Sequence, residues 1–152
     1  MTTLDERDRE LMELAFAASA RCPPTTSAFN VGAVVTDARR VVLATGFSRE
    51  TGLREHAEEV VFAKAEALGL ETAGGFLYVT LEPCGTRKSK QRSCSVITLE
   101  KGISRVIYAA REPPLFVAQQ NGLESLRGAG VEVLQMPELE ERFRRLHAHL
   151  RG

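Results

Sequence analysis

The sequence predicts an α/β fold in which one mixed five-stranded sheet lies between helices. Apolar stretches of strand length alternate along the chain with stretches of helical periodicity. A tight turn separates the first two strands, which predicts an antiparallel hairpin. Helices separate the later strands, which is typical of parallel neighbours joined by crossovers. The expected order of elements is therefore α-β-β-α-β-α-β-α-β-α.

The first half of the chain should contain a helix, a hairpin and a second helix. Leu4, Leu11 and Leu14 recur at helical spacing, and two adjacent prolines after Cys22 end that pattern. Two apolar runs flank a turn at 37–40, and a polar loop follows them. The expected elements are a helix over 4–20, strands over 31–36 and 41–47, and a helix from His56 to Gly69.

The second half should alternate strands with helices. Short runs rich in β-branched and aromatic residues mark the strands, and glycines mark the ends of the helices. The expected strands cover 76–80, 105–110 and 131–134, and the expected helices cover about 94–101, 119–128 and 138–149. A length of 152 residues fits a single domain over 1–152.

Composition narrows the function classes. The chain has 20 basic and 20 acidic residues, few aromatics (6%) and no Trp, which argues against a groove that binds nucleic acid. It has no apolar run near the ~20 residues that span a bilayer. The first ten residues are polar and acidic, unlike a signal peptide. We therefore expect a cytoplasmic protein without a membrane partner.

One histidine and two cysteines have the chemistry of a catalytic zinc site. Such a site takes three protein ligands and leaves one position open for water. His56 and Cys94 each fall at the start of an expected helix, and Cys84 follows a strand. We expect these three residues to bind one Zn²⁺. The alternatives are a surface histidine with two buried thiols, or a structural zinc, for which the sequence offers no evident fourth ligand.

Glu58 is the expected catalytic residue. It follows His56 by two positions, so it can lie beside the metal and transfer protons without being a ligand. The alternative is a carboxylate that only stabilises the start of its helix. Cys22 is expected to be a half-buried residue rather than a ligand, and Glu82 is expected to orient the cysteine loop. His147 and His149 are expected at the surface of a charged helix.

The His56-Ala57-Glu58 and Pro83-Cys84 segments resemble the signature of the zinc deaminases. The resemblance is to the cytidine deaminase-like superfamily and covers roughly residues 10–135. It implies a three-layer α/β/α sandwich, one Zn²⁺ per chain and a homo-oligomer, expected to be a dimer. It also implies a small heterocyclic substrate, from whose ring carbon water displaces an exocyclic amine as ammonia.

The spacing of the cysteines resembles one branch of that superfamily. Nine residues (85–93) separate Cys84 from Cys94, as in the deaminase domain of the bifunctional riboflavin-biosynthesis deaminase/reductase. That branch is also similar at 31–35, 77–84, 102–106 and 126–133. It implies a ribosylaminopyrimidine phosphate as substrate. Arg87 and Lys88, in the basic loop that also holds Lys90 and Arg92, are expected to bind that phosphate, unless the loop is only a solvated surface.

The substrate side departs from this branch. The branch has Asn where this chain has Ala28 and His where it has Ser48, and its loop between the cysteines has a different sequence. Phe29-Asn30 before Val31-Gly32 instead resembles the free nucleoside deaminases. Phe29 is then expected to wall the heterocycle, unless it is a core residue, and Asn30 to contact a sugar or a ring edge. Ala57 is a further expected substrate contact.

Three function classes remain open. The first is hydrolytic deamination of a small aminopyrimidine, either a ribosylaminopyrimidine phosphate or a free nucleoside, base or nucleoside antibiotic. The second is nucleic-acid editing, because editing deaminases share this zinc centre. The third is a non-catalytic binding protein of the same fold, which the intact Glu58 argues against.

Overall fold

A computed structural model of the chain describes residues 3–23, 28–52, 54–83, 93–111 and 122–148. The expected order of elements is confirmed, with a short 3-10 turn added before the last helix. The remainder of the expected fourth and fifth helices, 119–121 and 149, lies outside the described residues. The elements are α1 (Glu6–Ser19), β1 (Gly32–Thr36), β2 (Val42–Phe47), α2 (Ala57–Ala67), β3 (Phe76–Leu81), α3 (Cys94–Glu100), β4 (Arg105–Ala110), α4 (Gly122–Gly128), β5 (Glu132–Gln135), the 3-10 turn (Pro137–Leu139) and α5 (Glu140–Leu146).

The five strands form one sheet in the order β2-β1-β3-β4-β5. Strand β1 is antiparallel to both β2 and β3, whereas β3, β4 and β5 are mutually parallel. The expected mixed sheet with an antiparallel first pair is therefore confirmed. Because of these directions, the start of β1 and the ends of β2, β3 and β4 lie at one edge of the sheet. We call this the site edge, marked by Gly32, Phe47, Leu81 and Ala110.

Side chains alternate between two cores, one on each face of the sheet. Ala33 and Val35 of β1 pack in a cluster with α2 and α4, whereas Val34 between them packs against α1 and α5. Strand β1 is buried along its whole length because both faces are covered. The three-layer α/β/α sandwich is confirmed by this arrangement.

Gly32 permits the close approach of α1 to the start of β1. A Cβ at this position would lie 1.8 Å from the carbonyl oxygen of Ala15, so any larger residue would push the helix away. The Gly32 N–H also donates to Thr80 Oγ1 at 3.2 Å. The glycine of the Val31-Gly32 pair therefore fixes the packing of α1, β1 and β3 beside the site edge.

A buried polar network joins α1 to the centre of the sheet. The Tyr78 hydroxyl of β3 donates to Asp8 Oδ1 at 2.5 Å, and both residues are almost fully buried. Arg40 Nη1 pairs with Asp8 at 3.4 Å and with Asp5 at 2.5 Å. Burial and the hydrogen bond to Asp8 raise the pKa of Tyr78. The Arg40 guanidinium lowers the pKa of Asp5 to about 2.

Lys64 holds α2 against the edge strand β2. Its ammonium donates to the Thr45 carbonyl at 2.8 Å and pairs with Glu50 Oε2 at 2.5 Å. These partners explain a lysine in the otherwise apolar stripe of α2. No helix in the described part of the chain combines the length and the apolar character that a membrane crossing requires.

Candidate metal centre

Two helix starts supply the described residues of the candidate site. His56 is the residue that precedes the first turn of α2, and Cys94 is the first residue of α3. Both helices follow strands whose carboxyl ends lie at the site edge, so their first turns meet there. The positive end of each helix dipole therefore faces the site and favours anionic groups, such as a thiolate or a carboxylate.

The backbone at His56 is fixed by a residue that the sequence analysis did not single out. The His56 N–H donates to Glu59 Oε1 at 3.0 Å, so Glu59 reaches back over the first turn of α2. This is one half of a capping box, whose signal is an acidic residue three positions after the cap. The signal was present in the sequence, where His56 occupies the place usually held by Ser or Thr.

Cys94 is fully buried and is held by its own helix. Ser93 caps α3, its Oγ accepting from the Val96 N–H at 3.2 Å. Thr98 Oγ1, one turn later, donates to the Cys94 carbonyl at 2.7 Å. These hydrogen bonds fix the backbone on either side of the thiol, which is what a preorganised ligand needs.

The side chains of His56 and Cys94 are spaced like two ligands of one metal. His56 Nδ1 lies 3.2 Å from Cys94 Sγ. Nitrogen and sulfur ligands on a tetrahedral Zn²⁺ lie about 3.5 Å apart, given bond lengths of about 2.0 and 2.3 Å. The donor set and its spacing therefore fit zinc. The third expected ligand, Cys84, lies outside the described residues.

Glu58 completes the described group. A ligand atom of each of His56, Glu58 and Cys94 lies within 4.8 Å of the others, so the three can hold a metal ion together. Glu58 is only 4% exposed and belongs to the first turn of α2. This position serves either a metal ligand or a carboxylate that transfers protons beside the metal.

The expected substrate contacts fall into three groups. Ala57 is fully buried, and in the sequence it lies between His56 and Glu58. Phe29 packs against the α5 side of the sheet, with its ring centroid 5.6 Å from that of Phe143, and Asn30 Oδ1 accepts from Arg49 Nη2 at 2.5 Å. Arg87, Lys88 and the rest of their basic loop lie outside the described residues. The substrate roles of all of these residues stay predictions.

Three residues outside the zinc signature are also placed by the structure. His147 is 5% exposed, so the expected surface position is wrong: it faces inward because it lies one turn after the buried Phe143. His149 lies outside the described residues. Cys22 is half-buried as expected, and burial raises the pKa of its thiol. Glu82 is buried beside Pro83, and its N–H donates to the Ala110 carbonyl at 2.9 Å.

Curated relatives are riboflavin-pathway proteins. The chain is 36% identical over 128 residues to a diaminohydroxyphosphoribosylamino-pyrimidine deaminase of Schizosaccharomyces pombe, covering 83% of this chain and 31% of that protein. It is 37% identical over 130 residues to the riboflavin biosynthesis protein RibD of Aquifex aeolicus, covering 84% and 34%. The chain thus spans about a third of the length of these relatives.

Solved structures of deaminases and one family model also match the chain. A deaminase/reductase of Thermotoga maritima matches with a TM-score of 0.76 and 30% identity, over 92% of this chain and 39% of that one. The Rib2 deaminase of Aspergillus oryzae, a C-terminal deletion mutant, matches with a TM-score of 0.83 over 97% and 94%, at 21% identity that bears on the fold alone. The family model for the cytidine and deoxycytidylate deaminase zinc-binding region matches residues 5–110. The chain belongs to this deaminase family.

Proposed function

We propose that this chain is a zinc-dependent hydrolytic deaminase of a small aminopyrimidine. The observation that carries the proposal is the placement of His56 Nδ1 and Cys94 Sγ 3.2 Å apart, with Glu58 in the same group, at two helix starts. Membership of a zinc-binding deaminase family supports the same conclusion. The first candidate substrate is a diaminohydroxyphosphoribosylaminopyrimidine, as the names of the curated relatives indicate.

His56 and Cys94, with Cys84 as the third ligand, would hold the metal. When bound there, zinc supplies Lewis acidity that lowers the pKa of a coordinated water to about 7. Three ligands leave the fourth position open, which is the arrangement of catalytic rather than structural zinc. The burial of Cys94 keeps this thiol away from bulk oxidants and competing solvent.

Glu58 would move the protons. Its carboxylate accepts a proton from the attacking water and delivers it to the departing amino nitrogen. Because Glu58 is buried beside the ligands, the transfer takes place in a site from which most water is excluded.

The test is ammonia release from purified zinc-loaded protein across a panel of substrates. The panel contains the ribosylaminopyrimidine phosphate, its dephosphorylated form, cytidine, deoxycytidine and cytosine. Glu58→Gln should lower kcat by about 10²–10⁴-fold while the protein keeps one zinc per chain. Activity that survives in Glu58→Gln would sink the mechanism, and loss of zinc in that variant would instead make Glu58 a ligand.

A free nucleoside is the second candidate substrate. The observation that favours it is Ser48, which stands where the riboflavin branch has His and whose hydroxyl accepts from the Val31 N–H at 3.0 Å and donates to the Val31 carbonyl at 3.3 Å. A residue with these bonds is not available for the contact that the branch makes from this position. A preference for the dephosphorylated members of the panel would decide for this alternative.

Two other function classes and the oligomeric state each have their own measurement. A nucleic-acid editor would deaminate single-stranded oligonucleotides at low salt, and we expect no such activity from a chain of zero net charge. A non-catalytic binding protein would release no ammonia from any compound. The homo-oligomer stays a prediction that sedimentation equilibrium can test.

A further inference from the structure

The loop 48–55 connects strand β2 to helix α2 and leads directly into His56. We call it the ligand loop, and all of it except Leu53 lies within the described residues. Because His56 continues the backbone of this loop, the position of its imidazole depends on how firmly the loop is held. Residues that hold a metal ligand in place affect metal binding even when they do not touch the metal.

Two hydrogen bonds hold the peptide group between Glu55 and His56. Its carbonyl, that of Glu55, accepts from the Arg49 N–H at 2.8 Å. Its N–H, that of His56, donates to Glu59 Oε1 at 3.0 Å. A peptide group is planar, so a bond at each end fixes the orientation of the whole plane. The backbone from which the His56 side chain projects is therefore fixed by Arg49 on one side and by Glu59 on the other.

Arg49 makes its bond to Glu55 from an uncommon backbone conformation. Its φ is 62°, in the left-handed region that residues with a side chain seldom occupy. A residue keeps such a conformation only where the surrounding structure compensates for its cost. The contacts of the Arg49 side chain provide that compensation, so the side chain and the backbone N–H of Arg49 act together.

The guanidinium of Arg49 holds the start of the ligand loop against the connection between α1 and β1. Its Nη2 donates to Asn30 Oδ1 at 2.5 Å and to the Pro23 carbonyl at 3.4 Å. Its Nη1 donates to the Phe29 carbonyl at 3.3 Å. A guanidinium has several donors in a fixed plane, so three acceptors around it specify one orientation. The ligand loop is thereby attached to a segment that is distant in the sequence.

An ion pair attaches the same loop to the body of α2. Glu50 Oε2 pairs with Lys64 Nζ at 2.5 Å, and this ammonium also donates to the Thr45 carbonyl at 2.8 Å. Lys64 lies about two turns beyond His56 on the same helix. This pair therefore joins the loop to α2 across the metal ligand, whereas Arg49 bonds to the peptide group that carries it.

We propose that Arg49 is a positioning residue for the metal ligand His56. Its side chain holds the ligand loop on the connection between α1 and β1, and this keeps its backbone N–H on the Glu55 carbonyl. His56 is then presented to the metal in one orientation before the metal binds. The inference rests on the metal centre of the proposed function, deepens it by one residue, and requires nothing of the substrate.

The experiment measures zinc affinity by chelator competition in two variants of Arg49. Arg49→Met removes the guanidinium but keeps most of the apolar stem, and it should lower the zinc affinity about tenfold. Arg49→Lys keeps one cationic donor group and should lower it by only about threefold. The visible absorption of the Co²⁺-loaded protein is the second readout, because it reports the geometry of the ligands. Arg49→Met should change this spectrum, which a loss of stability alone would not do.

Arg142→Met is the matched control. Arg142 also joins two elements, since its Nη1 pairs with Glu13 Oε1 at 2.6 Å and its guanidinium lies 4.3 Å from the centroid of the Phe16 ring. These contacts join α5 to α1 and involve no residue of the ligand loop. Zinc affinity of Arg142→Met should stay within about twofold of the wild type. Urea unfolding of both metal-free variants separates the loss of stability from the loss of affinity.

The outcomes separate this inference from the proposed function. A wild type that binds neither Zn²⁺ nor Co²⁺ overturns both. A wild type that binds zinc but releases no ammonia overturns the proposed function, and the affinities of the variants still decide the inference. Equal zinc affinity in Arg49→Met and Arg142→Met, or an unchanged Co²⁺ spectrum, overturns the inference alone. If Arg49→Met does not fold, Arg49→Lys decides, and a wild-type affinity in that variant overturns the inference.

Discussion

Replacing Tyr78 with Phe should separate the stability of the fold from the chemistry of the site. Tyr78 lies in the middle of β3, the strand that leads to Pro83, on the face opposite α2. The substitution removes one oxygen and no carbon, so it leaves no cavity. Among the described residues, its only direct effect on hydrogen bonding is that Asp8 loses the Tyr78 donor.

The expected loss of stability depends on the hydrogen-bond partners that Asp8 retains. Asp8 is 1% exposed, so water cannot replace the lost donor. Its Oδ1 still has Arg40 Nη1 at 3.4 Å, and its Oδ2 still accepts from the Asp5 N–H at 3.0 Å. Loss of a hydrogen bond to a buried charged group costs about 1.5–3 kcal/mol, and because Asp8 keeps other partners we expect about 2 kcal/mol for Tyr78→Phe. For a chain of this length that lowers Tm by about 4–8 °C.

Urea unfolding followed by circular dichroism measures the change, with ammonia release as the second readout. Tyr108→Phe is the matched control, because Tyr108 is equally buried in β4 and its hydroxyl makes no hydrogen bond within the described residues. It should change the free energy of unfolding by less than about 0.5 kcal/mol. Equal losses in the two variants would refute the reasoning, as would a fall in kcat of Tyr78→Phe at a temperature where it is fully folded.

Three further predictions concern the helix starts and the acidic residues. Glu59→Ala should lower the free energy of unfolding by about 1 kcal/mol, because the His56 N–H loses its acceptor. It should also lower the zinc affinity, measured by chelator competition, about tenfold. Glu59→Gln keeps an oxygen at this place and should retain most of the stability and most of the zinc affinity. Cys94→Ala should abolish zinc binding measured by metal analysis, and Cys22→Ala should leave it at one per chain; the reverse result would reassign the ligands. The hydrogen bond with Arg40 lowers the pKa of Asp5 from its ordinary 3.8 to about 2, so its stabilising contribution exists above about pH 4 and is lost as the pH falls towards 2. The difference in unfolding free energy between the wild type and Asp5→Asn should shrink over that range, and a constant difference would contradict the assignment.

The fold could be predicted from the sequence almost element by element because local signals and burial agree. The central strands are buried on both faces and therefore read as unbroken apolar runs, as at 31–36. Helix ends were marked by glycines that the structure places at positive φ, such as Gly69 and Gly102. The predicted helix over 138–149 includes part of the 3-10 turn Pro137–Leu139, because a proline followed by acidic residues is also typical of a helix start.

The metal ligands could be proposed for a related reason. His56 and Cys94 lie at helix starts, and a helix start that follows a strand can be predicted from a single sequence. The inward position of His147 was missed because its helix is rich in charge. Phe143 and His147 are one turn apart, and that i, i+4 spacing was the available signal for a shared buried face.

Contacts between segments that are distant in the sequence are harder to predict than helix starts. Asn30 is held by Arg49 and by His147, which lies 117 positions away. No local pattern in a single sequence predicts such a contact, whereas a helix start can be predicted from the residues around it. This difference is why the reaction can be inferred from His56, Glu58 and Cys94, whereas the substrate must be inferred from the loops around them.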